Sequence, residues 1–209
     1  MQIRIREDSV EIDGYVNAVE RKSRLLRSRI GQFIERICKG AFKKAIERND
    51  NIRILLNHDR NRDLGGTRDG NLELTEDNIG LHARATINDK EVVQKARNGD
   101  LVGWSFGFED RPDGVTETVE DGIRTRNVND LDLYEVSILD RTKTPAYEGT
   151  LVSVRSEDGN EKAVYYGDPL FSDIQIRDES ETTEEKTEQK EIVIDYSKYE
   201  KIIKEMKGE

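Results

Sequence analysis

The chain has 209 residues, 34% hydrophobic and 37% charged, with a formal net charge of −10. That length allows one domain with a real core plus an appendage. The near balance of charge before Ser156 leaves no basic patch of the kind a nucleic-acid binder uses against phosphates. One cysteine, Cys38, rules out an internal disulfide, and two histidines with it are too few for a His/Cys zinc site. No apolar run approaches the ~18–20 residues that cross a bilayer. A soluble, cytosolic protein with no membrane partner, no metal and no cofactor is therefore expected. Met1 to Arg6 alternates polar and apolar residues, which is strand periodicity and not a signal peptide. Val10-Glu11-Ile12 and Tyr15 to Val19 continue as strands, with Gly14 marking a bend or a close approach. The arginine- and serine-rich residues 20–31 read as a loop. Phe33 to Ile37 is a strand, and Ala41 to Arg48 spaces Phe42, Ala45 and Ile46 as a short amphipathic helix would.

Ile52 to Leu56 is a strand ending at Asn57-His58-Asp59, and the charged, glycine-rich Arg60 to Gly70 reads as a loop. Leu72 to Leu74 and Leu81 to Ile87 are strands. Asn88 is the expected N-cap of a helix that carries Glu91 three residues later, buries Val92, Val93 and Ala96, and ends at Gly99. Leu101 to Phe108 is a strand. Val115 to Val119 and Gly122 to Val128 form a hairpin around Glu120-Asp121-Gly122. Leu131 to Leu139 is a long strand, Arg141 to Thr150 closes the body, and Leu151 to Val154 is a last strand. About nine strands and two helices, closely spaced with hairpin turns, favour a mainly β barrel or sandwich over a parallel α/β sheet. From Ser156 on the chain carries twice as many acidic as basic residues. Residues 1–155 are thus expected as the domain and 156–209 as an acidic extension. Within it, Arg177 to Glu191 is expected to be disordered and Tyr196 to Lys207 to form a terminal helix.

Three short segments carry the chemistry. Gly103-Trp104-Ser105-Phe106-Gly107-Phe108 sets one serine in an apolar segment between two glycines. A serine hydroxyl is a weak nucleophile and needs a base, usually histidine, with a third group to fix the imidazole. Both histidines, His58 and His82, precede Ser105. The Gly-x-Ser-x-Gly elbow of α/β-hydrolases requires a histidine after the serine, so that fold is excluded as a catalytic match. Fewer than fifty residues separate His58 from Ser105, which is tight for the chymotrypsin order. The order left is His, Ser, then a third member downstream. Glu135, within Leu133-Tyr134-Glu135-Val136-Ser137-Ile138, is the candidate. Strict alternation would put it on one face with Leu133 and Ser137. His82 is a rival base or third member, on a strand whose Leu81, Ala83, Ala85 and Ile87 share the opposite face. Each residue also has a plainer reading: a packed strand serine, a loop-capping histidine and a solvent-facing glutamate.

These segments, with Phe33 to Phe42 before them, resemble the motifs of the caudovirus prohead proteases. Phe33-Ile34-Glu35-Arg36-Ile37-Cys38-Lys39-Gly40-Ala41-Phe42 is similar to the N-terminal signature. Leu56-Asn57-His58-Asp59 with Leu64-Gly65 is similar to the histidine motif, and the Ser105 and Glu135 segments to the serine and third motifs, in the family's order over about residues 10–150. The resemblance implies a serine endopeptidase of a tailed phage. Such an enzyme works inside the assembling procapsid in the host cytoplasm, on the scaffolding protein or the scaffold-like arm of the major capsid protein, and on itself. It implies a fold related to herpesvirus assemblins, a closed or partly open β-barrel with flanking helices, and leaves a homo-oligomer open. Carried over by position, His58 is the general base, Ser105 the nucleophile and Glu135 the third member. Assemblins place a second histidine after the serine; its absence here favours Glu135. Arg141, soon after the third motif, is placed as an oxyanion stabiliser. The segment from Asp140 to Ala146 departs from the family in being longer and more charged. Two other functions compete: a catalytically inactive capsid assembly or scaffold protein that keeps the protease fold, and an unrelated serine esterase.

Overall fold

The computed structural model describes residues 1–28, 31–142, 152–155, 161–166 and 174–180. Among these residues there are fifteen strands and two helices. They form three sheets around one hydrophobic core. The first has the order β15(Gln175–Asp178)-β1(Gln2–Ile5)-β2(Val10–Ala18)-β8(Gly80–Ile87)-β7(Leu72–Glu76). The second runs β10(Val115–Glu120)-β11(Ile123–Val128)-β4(Gly31–Ile37)-β3(Leu26–Ser28). The third runs β13(Val152–Arg155)-β14(Glu161–Tyr166)-β9(Leu101–Asp110)-β12(Leu131–Asp140)-β5(Arg53–Leu56)-β6(Asp59–Gly66).

Alternation explains which face each strand buries. Ile3, Ile5, Val10, Ile12 and Val16 point into the core from the first sheet; Trp104, Phe106, Phe108, Val136 and Ile138 point in from the third. The expected face of β8 is found, with Leu81, Ala83, Ala85 and Ile87 buried. Gly14 is a close approach, since a Cβ there would lie 3.1 Å from Met1 Cα. Helix α1(Ala41–Arg48) buries Ala41, Phe42 and Ala45, and its free N-terminal amides at Gly40 and Lys43 donate to the Glu76 carboxylate. Helix α2(Lys90–Arg97) buries Val92, Val93 and Ala96.

Several expectations are corrected. The N-cap of α2 is Asp89, not Asn88: Asp89 has extended backbone and its carboxylate accepts the Val92 N–H at 3.0 Å. Residues 20–31 are not all loop, because β3 pairs with β4 and Lys22 bridges to Arg36. Asp59 to Gly66 is an edge strand, not a loop. Its polar composition hides a ladder imposed by the β5 partner. No sheet closes on itself among the described residues; each ends on edge strands, so the expected closed barrel is not found. β14 pairs with β9 and β15 with β1, so chain beyond Ser156 adds strands to two sheets. Arg177 and Asp178, expected in the disordered stretch, belong to β15. The rest of that stretch from 181, the terminal helix over 196–207, and 143–150 of the closing segment lie outside the described residues.

Candidate active site

The site is built on the face of the third sheet that turns away from the core. On β9, Trp104, Phe106 and Phe108 are fully buried in the core, so Gly103, Ser105 and Gly107 face the other way. Antiparallel pairing sets Ser105 opposite Ser137 and Gly107 opposite Glu135 on β12. On the next strand, parallel pairing sets Ser137 beside Leu55 of β5.

The register of β12 slips between Leu133 and Glu135, which makes Tyr134 the extra residue of a β-bulge. Leu131 and Leu133 face the core before the bulge, and Val136 and Ile138 after it. Leu133 therefore does not share the Glu135 face, as strict alternation requires. The bulge swings Glu135 and Ser137 onto the face of Ser105. Tyr134 is 39% exposed, and its hydroxyl donates to Glu109 at 2.9 Å. Burial, then the Glu109 carboxylate, pushes its pKa well above the usual tyrosine value.

Strands β5 and β6 are joined by a two-residue turn, Asn57-His58, with φ of 57° and 60°. Both residues are left-handed, as a type I′ hairpin turn requires. Three hydrogen bonds hold this turn against β12: Asn57 N–H to Ile138 O at 2.9 Å, His58 N–H to Ser137 Oγ at 2.7 Å, and Asp140 N–H to Asn57 Oδ1 at 3.0 Å. Ser137 Oγ in turn donates to Leu55 O. The imidazole then meets Glu135, with Nδ1 2.6 Å from Oε1. A carboxylate oxygen accepts, so Nδ1 is the ring nitrogen that donates here, and in the neutral imidazole this leaves the lone pair on Nε2, the tautomer a general base needs.

Glu135 is 7% exposed, and its second oxygen is buried without a hydrogen-bond partner. A half-satisfied buried carboxylate is costly. Gly107 makes room for it: a Cβ there would lie 2.5 Å from Glu135 Oε1. A groove of about 510 Å³, lined by Asn51, Arg53, Leu55, His58, Tyr134 and Glu135 among others, opens beside the pair.

His58 and Glu135 thus meet directly. Ser105 is joined to them through Ser137, its paired neighbour, whose hydroxyl accepts the His58 amide. His82 lies in the first sheet, hydrogen-bonded to Asp13 at 3.1 Å and edge-on to the Tyr15 ring. Arg141 follows the end of β12 with an exposed side chain; its N–H donates to Asp100 O, so only its guanidinium is left for an oxyanion. Sequence reasoning missed Ser137, Asn57 and Asp140. The signal for Asn57 was there, since asparagine is among the few residues that enter the left-handed region readily. Ser137 and Asp140 gave none, because their roles depend on register.

A family model described as caudovirus prohead serine protease matches residues 1–163. No curated protein and no solved structure matches the chain. The matched span takes in the whole of the His58 turn, β9 and β12, and the chain belongs to the caudovirus prohead serine protease family.

Proposed function

We propose that this phage capsid-maturation protease cleaves the scaffolding protein or the scaffold-like arm of the major capsid protein, and itself, with His58, Ser105 and Glu135 as its catalytic residues. The observation that carries this reading is the 2.6 Å contact between His58 and Glu135, on the sheet face that also bears Ser105. His58 Nε2 takes the hydroxyl proton as Ser105 Oγ attacks the scissile carbonyl carbon. Glu135 stabilises the imidazolium that forms. The tetrahedral intermediate collapses to an acyl-enzyme as His58 returns the proton to the departing amine. Water, deprotonated by His58, then hydrolyses the ester and frees Ser105. The Arg141 guanidinium is the proposed charge for the oxyanion, a contribution typically worth about 10²–10³ in turnover. The fold that goes with this reading is a partly open, assemblin-like arrangement of sheets, in which β14 and β15 join residues 1–155 in the protease domain.

Ser105 is only 1% exposed. That burial is what favours the second reading, an assembly protein that keeps an inactive protease fold. Intact-mass measurement of the expressed chain, alone and together with its capsid protein, separates the two. Truncation in the wild type and none in Ser105→Ala supports the protease. Identical masses in both, with the capsid protein uncut, support the assembly protein.

A further inference from the structure

Strand β12 ends at Asp140, whose side chain is 2% exposed yet charged. Lys95, from α2, places Nζ 2.9 Å from Asp140 Oδ2. Thr142 donates its N–H at 2.9 Å and its hydroxyl to Oδ1. Burial alone would raise the Asp140 pKa, but hydrogen bonds from Thr142, Lys95 and Asn57 outweigh it and bring it down to about 2. Asp140 also gives its own N–H to Asn57 Oδ1, the first residue of the turn that carries His58. A continuous path of polar contacts therefore runs from helix α2 to the imidazole-bearing turn. A buried ion pair is weak support for stability alone, because desolvation offsets its attraction. Two consecutive non-glycine residues in the left-handed region are strained, and they persist only where the surroundings over-determine them.

We propose that Lys95 and Asp140 are positioning residues for His58: their ion pair, half-buried at Lys95 and buried at Asp140, fixes Asn57, and through it the turn that aims the imidazole at Glu135. This rests on His58 being the general base. The pair touches neither substrate nor the reacting atoms. A purely structural role would only staple α2 to the end of β12 and leave His58 unaffected.

The chain has two histidines, so in a His82→Gln background the nitrogen NMR signals of labelled imidazole belong to His58 alone. With the contact to Glu135 in place, they report Nδ1 as the protonated nitrogen of the neutral ring, read at a pH where the ring is neutral. In the full chain, Lys95→Met is expected to shift that signature toward the Nε2–H tautomer. It is also expected to lower kcat on a capsid-derived peptide by about 10²-fold, the usual cost of misplacing a group by about 1 Å, with KM within about twofold. Lys95→Arg restores both readouts. Glu91→Gln removes the other carboxylate near Lys95, at 3.4 Å, and leaves both unchanged. Asn57→Gly keeps a left-handed turn but cuts the link to Asp140, so it reproduces the Lys95→Met signature even if Lys95→Met does not fold. If Lys95→Met and Asn57→Gly both keep the Nδ1–H tautomer and wild-type kcat, the inference is overturned. If the wild type cleaves no peptide while the tautomer still follows Lys95→Met and Lys95→Arg, the proteolytic function falls and the positioning network stands.

Discussion

Gly107→Ala puts one methyl group where the Glu135 carboxylate lies. The new Cβ would be 2.5 Å from Oε1, 3.1 Å from Cγ and 3.2 Å from Cδ. Ordinary contact begins near 3.4 Å, so the carboxylate must retreat by about 0.9 Å, the scale on which misplacement costs about 10²-fold in turnover. The 2.6 Å bond to His58 has little room for that retreat before it passes the limits of useful geometry. The methyl points to the site face, away from the core side chains Phe106 and Phe108, so packing is untouched. Alanine in a strand is also entropically easier than glycine, by roughly 0.5–1 kcal/mol. The expected outcome is a kcat lowered by about 10²-fold on a capsid-derived peptide, with melting temperature unchanged or slightly raised. Steady-state kinetics and calorimetry on the same preparation check both. A variant that keeps kcat within about twofold, or that melts well below the wild type, would refute the assignment of Gly107 as the space the carboxylate needs.

Three further outcomes are expected. Glu135→Gln keeps the shape but loses the charge that orients His58, so it slows peptide hydrolysis by about 10⁴-fold; His82→Ala, altering a residue engaged with Asp13 in another sheet, stays near wild type, and the reverse ranking would move the third role to His82. The folded-state pKa of Asp140, about 2, lies below its usual 3.8, so its carboxylate stabilises the fold above pH ~4, and that contribution fades as pH falls through 2. Urea titrations should therefore show Asp140→Asn less stable than wild type by about 2 kcal/mol at pH 7, with the gap closing toward pH 2. A fluorophosphonate should label Ser105 in the wild type slowly, because the hydroxyl is buried, and should not label Ser105→Ala or His58→Ala; labelling at another serine, found by peptide mapping, would displace Ser105 as nucleophile.

The sequence was most informative where a strand turns one face to the core or the turn chemistry is strict. Leu81 to Ile87 and Leu101 to Phe108 read correctly because a strand with one face in the core shows its period. Glu120-Asp121-Gly122 read correctly as a hairpin, and Asp121 and Gly122 do take the left-handed turn. β6 was illegible because an edge strand takes its ladder from a neighbour and needs no apolar face of its own. β3 was illegible for the same reason. The three candidate residues could be named, but the contact between His58 and Glu135 could not be read. The Tyr134 bulge breaks the period-two count, so local pattern alone assigns Glu135 a face shared with Leu133 that it does not have.

That bulge and the turn at Asn57-His58 together show how the site is organised. Ser105 and Glu135 sit on neighbouring strands of one sheet, fixed by main-chain register. His58 is the one member on a turn, where a hairpin would ordinarily be free to vary. Here the turn is bound back onto β12 at three successive levels, through Ile138 O, Ser137 Oγ and the Asp140 amide. Left-handed backbone at two non-glycine residues costs roughly 1–2 kcal/mol each, and three hydrogen bonds at about 1 kcal/mol each are of the size needed to offset it. The strain is thus held by the same strand that carries Glu135. Any change that slides β12 against β5 should disturb His58, Glu135 and the turn together, whereas changes on the core face of β9 should be felt first in stability.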